Sequence, residues 1–204
     1  MSDVGTNRSR RAGGARRAVV LDQVVEVLAE RGYARTRFAD VSDASGVAVS
    51  TLQGYFGSRE DMLIEALGRA TSVAVTAMRE LAAQVDDPWE QLIAMVDRGL
   101  STDVPTWRML MEFWTAAAHD AELRAHAAEL AEHYRAPFHD AVRRGVQSGV
   151  FAPRFDAAAI VEVTVANIVG LLYPVVLGQL EPQTTDYRGV VLAQLQFALD
   201  PRER

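Results

Sequence analysis

Cysteine and lysine are both absent from this 204-residue chain, and its first proline occurs only at position 88. Without cysteine the protein can form no disulfide, no thiolate metal site and no cysteine nucleophile, which suits a reducing cytoplasm. Sustained apolar–polar alternation, the pattern of half-buried strands, is also missing, whereas apolar residues recur at helical spacing throughout. The N-terminal arginines are followed by no apolar run, so we expect no secretion signal. These absences favour an all-α, cytoplasmic protein.

Charge is distributed unevenly along the chain, whose net charge is -6. All 21 basic residues are arginine, and the acidic residues dominate after residue 60. The opening seventeen residues hold one acidic residue and five arginines, which are Arg8, Arg10, Arg11, Arg16 and Arg17. A basic end on an acidic body fits a protein that offers one end to a polyanion such as DNA. A short disordered tail with incidental arginines is the alternative.

Apolar spacing, glycines and prolines divide the chain into about nine predicted helices. The first contains Leu21, Val24, Val25 and Leu28 and ends before Gly32. Two short helices follow, at 38–44 and around Leu52–Phe56, with Gly46 in the turn between them. Ser58 and Asp61 form a capping box that begins a long helix to about residue 84. Further helices are predicted at 88–101, 105–118, 121–147, 156–178 and 184–199.

Two short helices joined by a glycine turn, after a longer helix, are typical of a helix-turn-helix. The residues of this window make the match more specific. They are Ala29-Glu30-Arg31-Gly32-Tyr33, Thr36, Asp40-Val41, Gly46-Val47, Thr51-Leu52, Tyr55-Phe56, Ser58-Arg59-Glu60 and Leu63. The series resembles, in register over residues 18–63, the DNA-binding domain of the tetracycline-repressor (TetR) family.

The resemblance implies a three-part organisation. A flexible basic arm at 1–17 precedes a three-helix DNA-binding domain at 18–67. A larger helical domain at 68–204 then binds a ligand and forms a homodimer.

The same resemblance implies which residues meet DNA. Phosphate contacts fall on Thr36, Tyr55 and Arg59, and base contacts on Val49, Ser50, Thr51 and Gln53. Arg37 stands where the family usually has a capping threonine or serine. Either Thr36 therefore caps the second helix, or Arg37 exchanges the cap for a phosphate contact. Gln53 replaces a common tyrosine, and Ala48 replaces a common serine N-cap.

Methionine and aromatic residues are concentrated in the predicted helix 105–118 and in the helices around it. Such side chains make adaptable apolar walls that often enclose a small molecule. Plain core packing is the alternative. The candidate ligand pocket comprises Met78, Met95, Trp107, Met111, Trp114, Tyr134 and Phe138.

The most hydrophobic stretch lies at 157–178. Its length could span a bilayer, but Glu162 and Asn167 within it argue against a membrane helix. A buried core helix is a further alternative. In the resembled family the last two helices form the dimer interface, and the candidate interface residues here are Val165, Val169, Leu172, Leu192 and Leu195.

Catalytic and metal-binding patterns are missing. We find no triad order, no phosphate loop and no His-x-x-x-His pair, and His119, His126 and His133 are seven residues apart. We therefore expect no enzyme, no metal and no cofactor. A constitutive DNA binder would not need so large a second domain. The sequence predicts a repressor that binds a palindromic double-stranded operator as a homodimer and is released by a small apolar or amphipathic effector.

Overall fold

The computed structural model describes residues 4–179 and 186–200, and for residues 4–15 it describes the backbone alone. Within these ranges the chain forms nine helices: α1 Val4–Arg31, α2 Phe38–Ser45, α3 Val49–Phe56, α4 Arg59–Ala82, α5 Pro88–Leu100, α6 Val104–His119, α7 Ala121–Gln147, α8 Ala157–Val176 and α9 Tyr187–Leu199. The prediction of an all-α protein is confirmed for the described chain. The predicted turn Glu181-Pro182-Gln183 and the first predicted residues of α9 lie outside the described residues.

The chain divides into two compact units. The first comprises the chain up to Ala70 together with Arg108–His126. The second comprises Thr71–Trp107 and the chain from Ala127 onward. The change of unit within α4 therefore lies close to the predicted boundary at 67/68. Sequence reasoning did not anticipate that a segment of α6 and α7 belongs to the first unit.

The first unit is organised around the end of α1. Gly32 has φ 83 and its amide donates to the carbonyl of Leu28 over 2.8 Å, which ends the helix as predicted. A side chain at Gly32 would also collide with the carboxylate of Glu112 on α6. That carboxylate accepts a hydrogen bond from the amide of Ala34 at 3.2 Å, and the ring of Phe113 packs on Tyr33 with centroids 5.6 Å apart. These contacts explain why part of α6 belongs to this unit.

The N-terminal segment was predicted to be a flexible arm. In the structure α1 already begins at Val4, so the backbone of residues 4–17 continues the first helix. Arginine and alanine are good helix formers and no proline interrupts the segment, whereas Gly5, Gly13 and Gly14 disfavour a helix. The arm is therefore described as helical from Val4 onward, and its separation from the DNA-binding domain stays a prediction.

The second unit has its core among α5, α8 and α9, which pack against one another. Met95 on α5 and Ile168 on α8 are completely buried there. An ion pair of 2.5 Å joins Asp97 on α5 to Arg188 on α9. These contacts place α8 and α9 side by side.

One helix of the described chain, α8, is long and apolar enough to cross a bilayer by length and composition alone. About a third of its most apolar window, 33%, is buried inside the protein. The core helix of a soluble protein satisfies the same criterion, so this is weak evidence for a membrane.

Candidate nucleic-acid interface and the sites of the second unit

Helix α3 has one buried face and one open face. Gly46 adopts φ 66 in the turn before it, a backbone conformation that glycine reaches without strain. Leu52 and Phe56 lie one helical turn apart on α3, and both side chains are buried. The side chains predicted to contact bases are all exposed, and they are Val49, Ser50, Thr51 and Gln53. The prediction for these four residues is therefore compatible with the geometry of the helix.

The helix ends around α3 are capped mostly as predicted. Asp61 donates its amide to the Ser58 hydroxyl over 3.0 Å, while its carboxylate accepts from the Ser58 amide over 3.4 Å. Ahead of α2, the Arg37 amide donates to the carboxylate of Asp40 over 2.8 Å. An arginine side chain has no acceptor, so Asp40 supplies this cap. The exposed side chain of Arg37 remains open to solvent.

Thr36 does not face solvent. Its side chain is 0% exposed, and its hydroxyl donates to the carbonyl of Gly32 over 2.8 Å. The hydroxyl therefore neither caps α2 nor reaches a phosphate. Both predictions for Thr36 are wrong, because the turn after α1 already uses this hydroxyl.

Arg59 also points inward. Its Nε donates to the Thr36 carbonyl over 2.7 Å, and one Nη donates to the Tyr33 carbonyl. The guanidinium lies 5.5 Å from the centre of the Tyr33 ring, and its other Nη pairs with Glu60 over 3.2 Å. Arg59 thus joins the start of α4 to the corner after α1. The Nε and both Nη atoms of Arg59 bind groups of the protein itself, which differs from the predicted phosphate contact.

Tyr55 is half-buried, with its ring edge-on to Phe56 at 6.2 Å. Its carbonyl accepts a hydrogen bond from Nε of Arg17 over 3.2 Å. Arg17 also pairs with Glu65 on α4 over 2.5 Å and lies 4.9 Å from the centre of the Phe56 ring. Sequence reasoning placed Arg17 in the basic arm and missed this contact. A single sequence carries no signal for a pair 48 residues apart.

The candidate ligand residues are distributed over both units. Met78, Met95, Trp107 and Phe138 are buried in the second unit, where Tyr134 is half-buried. Met111 and Trp114 are half-buried and belong to the first unit. The structure brings Tyr134 and Phe138 together, with ring centroids 6.2 Å apart.

Tyr134 lies inside the second unit. A Cβ placed on Gly99 would lie 3.1 Å from its hydroxyl and 3.0 Å from Ile168, so the hydroxyl is in contact with the α5 backbone. Burial raises the pKa of Tyr134 to about 12, although the nearby charge of Arg98 opposes the rise. The phenol is therefore neutral at physiological pH.

A groove of about 400 Å³ runs between α8 and α9, and it is almost entirely apolar. Phe155, Val163 and Phe197 line it and are 59%, 60% and 61% exposed. None of the seven candidate ligand residues lines this groove. The groove is a surface feature of the last two helices.

Of the five predicted interface residues, only Leu195 is among those that line the groove. Val165, Leu172 and Leu195 are buried in the protomer's own core, and Val169 and Leu192 are half-buried. A side chain already buried within the protomer has little surface left for a partner. Val169 and Leu192 keep the most surface of the five, and the predicted interface stays a prediction.

Metal-binding side chains are not brought together in the parts of the chain that the structure describes. No group of three or more histidine, aspartate or glutamate residues there could hold a metal ion.

Comparison with known proteins identifies both parts of the chain. Residues 20–66 match the family model described as bacterial regulatory proteins, tetR family. Residues 88–199 match the model described as BetI-type transcriptional repressor, C-terminal. The chain is 30% identical over 115 residues to the HTH-type transcriptional regulator BetI of Burkholderia ambifaria, a match that covers 53% of this chain and 58% of the relative.

Two solved structures share the fold. The transcriptional regulator FadR from Bacillus subtilis, in complex with stearoyl-CoA, has a TM-score of 0.72 at 21% identity and is matched over 98% of its chain and 90% of this one. A transcriptional regulator from Saccharomonospora viridis, in complex with choline, has a TM-score of 0.72 at 23% identity, over 98% of its chain and 92% of this one. At this identity the likeness concerns the fold alone.

The matched models together extend from the helix-turn-helix to the end of α9, in the order that the structure shows. The chain therefore belongs to the TetR family of bacterial transcriptional regulators, with a C-terminal part of the BetI repressor type.

Proposed function

We propose that this regulator binds a palindromic operator as a homodimer in the cytoplasm, represses transcription there, and is released by a small-molecule effector. The observation that carries the proposal is the open face of α3. Four side chains able to read base edges, Val49, Ser50, Thr51 and Gln53, are exposed together, while Leu52 and Phe56 anchor the opposite face. A helix held in this way can enter the major groove without losing its packing.

The chemistry of the open face suits direct readout. The Gln53 amide can both accept from and donate to adenine, and Val49 can contact a thymine methyl. Gly54 is also exposed, and a Cβ added there would meet no atom within 4 Å. Internal packing therefore does not require this glycine. A glycine at this position lets the DNA approach the helix backbone closely.

Phosphate contacts are assigned to fewer residues than the sequence suggested. Arg37 and Arg16 are exposed, whereas Thr36 and Arg59 are used within the protein. The side chains of Arg8, Arg10 and Arg11 lie outside the described residues. We propose Arg37 and Arg16 as phosphate contacts, together with Tyr55 near the end of the recognition helix α3.

Homodimer formation is proposed for the groove between α8 and α9. Its exposed apolar side chains, including Val163 and Phe197, form a patch that a second copy of the chain can cover. Two-fold symmetry would bring the same residues from each copy together. A dimer also explains why an operator for this protein should be palindromic.

The effector is proposed to be apolar or amphipathic. The candidates of the second unit, Met78, Met95, Trp107 and Phe138, contribute apolar side chains, and the neutral Tyr134 hydroxyl offers one polar group. Related folds hold stearoyl-CoA and choline. Stearoyl-CoA is an amphipathic compound of the proposed class and choline is a small cation outside it, so the pair are the first probes to test.

The test begins with selection of duplexes from a random-sequence library by the full-length protein. We expect an enriched palindrome, bound with a strong dependence on salt. Stearoyl-CoA and choline are then added separately while operator binding is followed by anisotropy of a labelled duplex. Quenching of the fluorescence of Trp89, Trp107 and Trp114 reports binding of each compound directly.

A ligand that acts on DNA binding must itself bind more weakly when operator is present, by the same factor. Failure to enrich any sequence would refute DNA recognition. An enriched palindrome with no response to either compound would refute these two effector classes and leave DNA recognition standing.

A further inference from the structure

Arg17 makes three contacts, two with the end of the recognition helix α3 and one with α4. Its Nε donates to the Tyr55 carbonyl over 3.2 Å, and its Nη2 reaches both carboxylate oxygens of Glu65 at 2.5 Å. Its guanidinium lies 4.9 Å from the centre of the Phe56 ring. One side chain of α1 thus touches the last turn of α3 and the first half of α4.

The last turn of α3 depends on such a contact. The helix has only eight residues, and isolated helices of that length are unstable in water. Its final carbonyls need partners outside the helix. The Gln53 carbonyl accepts from the Gly57 amide over 2.8 Å, and that of Phe56 from the Ser58 amide over 3.2 Å. Arg17 supplies the partner for Tyr55 and places a positive charge at the negative end of the helix dipole.

We propose that Arg17 is a positioning residue for the recognition helix: held by Glu65, it sets the orientation of α3 and acts on DNA through that helix, not by contact with a phosphate. This role rests on the proposed DNA binding. The flat guanidinium fork is essential to it, because a lysine ammonium cannot bind the Tyr55 carbonyl and both oxygens of Glu65 in one plane.

The structure offers a matched control for Glu65. Asp22 on α1 pairs with Arg69 on α4 over 2.8 Å, so this pair joins the same two helices. Asp22 and Arg69 form their side-chain hydrogen bonds with each other and not with α3. Glu65→Gln and Asp22→Asn each remove one negative charge, which by electrostatics alone should favour DNA binding slightly. Only Glu65→Gln should disturb the recognition helix.

The experiment measures binding of Arg17→Lys, Arg17→Gln, Glu65→Gln and Asp22→Asn to a duplex selected by the wild-type protein and to a shuffled duplex of equal composition. We expect the first three variants to bind the selected duplex about tenfold more weakly, the loss of one hydrogen bond to a charged group. Their binding to the shuffled duplex and their salt slopes should be unchanged. Asp22→Asn should bind both duplexes as tightly as the wild type or slightly more tightly.

Amide hydrogen exchange in the free protein provides a readout without DNA. The amides of the last turn of α3 should exchange faster in Arg17→Lys and Glu65→Gln than in the wild type or in Asp22→Asn. Circular dichroism establishes that each variant retains its helix content. A protein that is only less stable overall would show faster exchange throughout, not in α3 first.

Three results would overturn the proposal. One is normal binding by Glu65→Gln with unchanged exchange in α3. Another is a salt slope lowered by about one unit in Arg17→Gln with equal losses on both duplexes, which would identify a phosphate contact. If the wild-type protein selects no sequence at all, the proposed function fails and this role fails with it.

Discussion

Replacing Val163 by aspartate should dissociate the proposed dimer without unfolding the protomer. Val163 is 60% exposed on α8 and lines the apolar groove. Burying the exposed part of the Val163 side chain stabilises an interface by roughly 1–2 kcal/mol per protomer. Enclosing an unpaired carboxylate there would cost several kcal/mol more. Two-fold symmetry introduces the change twice, so the dissociation constant should rise at least about a thousandfold, since 1.4 kcal/mol is tenfold.

Sedimentation velocity over a wide range of protein concentrations measures this change, with circular dichroism as the test of folding. The control is Val73→Asp, because Val73 on α4 is comparably exposed at 53% and does not line the groove. That variant should sediment as the wild type does. Val165→Asp should behave differently from both, because Val165 is 8% exposed and belongs to the core of the protomer. It should unfold the chain.

The reasoning would be refuted by a Val163→Asp protein that remains a dimer at the lowest concentrations measured. In that case the groove would lie outside the interface. A wild-type protein that is monomeric throughout would refute the dimer itself. Operator binding should fall together with dimer formation, because one half-site holds a protomer much more weakly than two hold a dimer.

Three other substitutions have separate expected outcomes. Gln53→Ala should change the preference at one base pair by about 1–3 kcal/mol while binding to shuffled DNA stays the same; equal losses on all sequences would assign Gln53 to phosphate. Gly54→Ala should stabilise the protein by about 0.5–1 kcal/mol in thermal unfolding and yet weaken operator binding, and unchanged binding would remove Gly54 from the interface. Tyr134→Phe tests the raised pKa of about 12. Because the folded pKa lies above the unfolded value near 10, the wild type should keep its stability below pH 10 and lose about 1.4 kcal/mol per unit between pH 10 and 12. The free energy of urea unfolding, measured as a function of pH, should not show this loss in Tyr134→Phe. Parallel plots for the two proteins would contradict the raised pKa of Tyr134.

Helix boundaries and the helix-turn-helix could be predicted because they depend on neighbouring residues. Gly32 and Gly46 end their helices with a positive φ. A glycine between two helical patterns predicts such a helix end from the sequence alone. The capping box of Ser58 and Asp61 lies within four residues. The alternation of buried Leu52 with exposed Gln53 follows from the helical period alone.

The hydrogen-bond and ion-pair partners of long polar side chains could not be predicted in this way. Arg17 and Arg59 have the same charge as Arg37, and the sequence places all three near DNA, Arg17 through the basic arm and the other two through the family resemblance. Only the folded chain brings Tyr55 and Glu65 within reach of Arg17, and the corner after α1 within reach of Arg59. A guanidinium binds whichever carbonyl or carboxylate lies near it, so its partner depends on tertiary structure.

The sequence by itself determined that this protein is all-helical, where most of its helices begin and end, and which helix exposes a surface that can read DNA. Tertiary structure decided which side of α8 stays exposed. This helix is apolar on nearly every side, so its pattern contains no polar stripe to distinguish buried Val165 from exposed Val163. Periodicity identifies a face only where hydrophobicity differs around the helix, and here packing against α5 and α9 makes the choice.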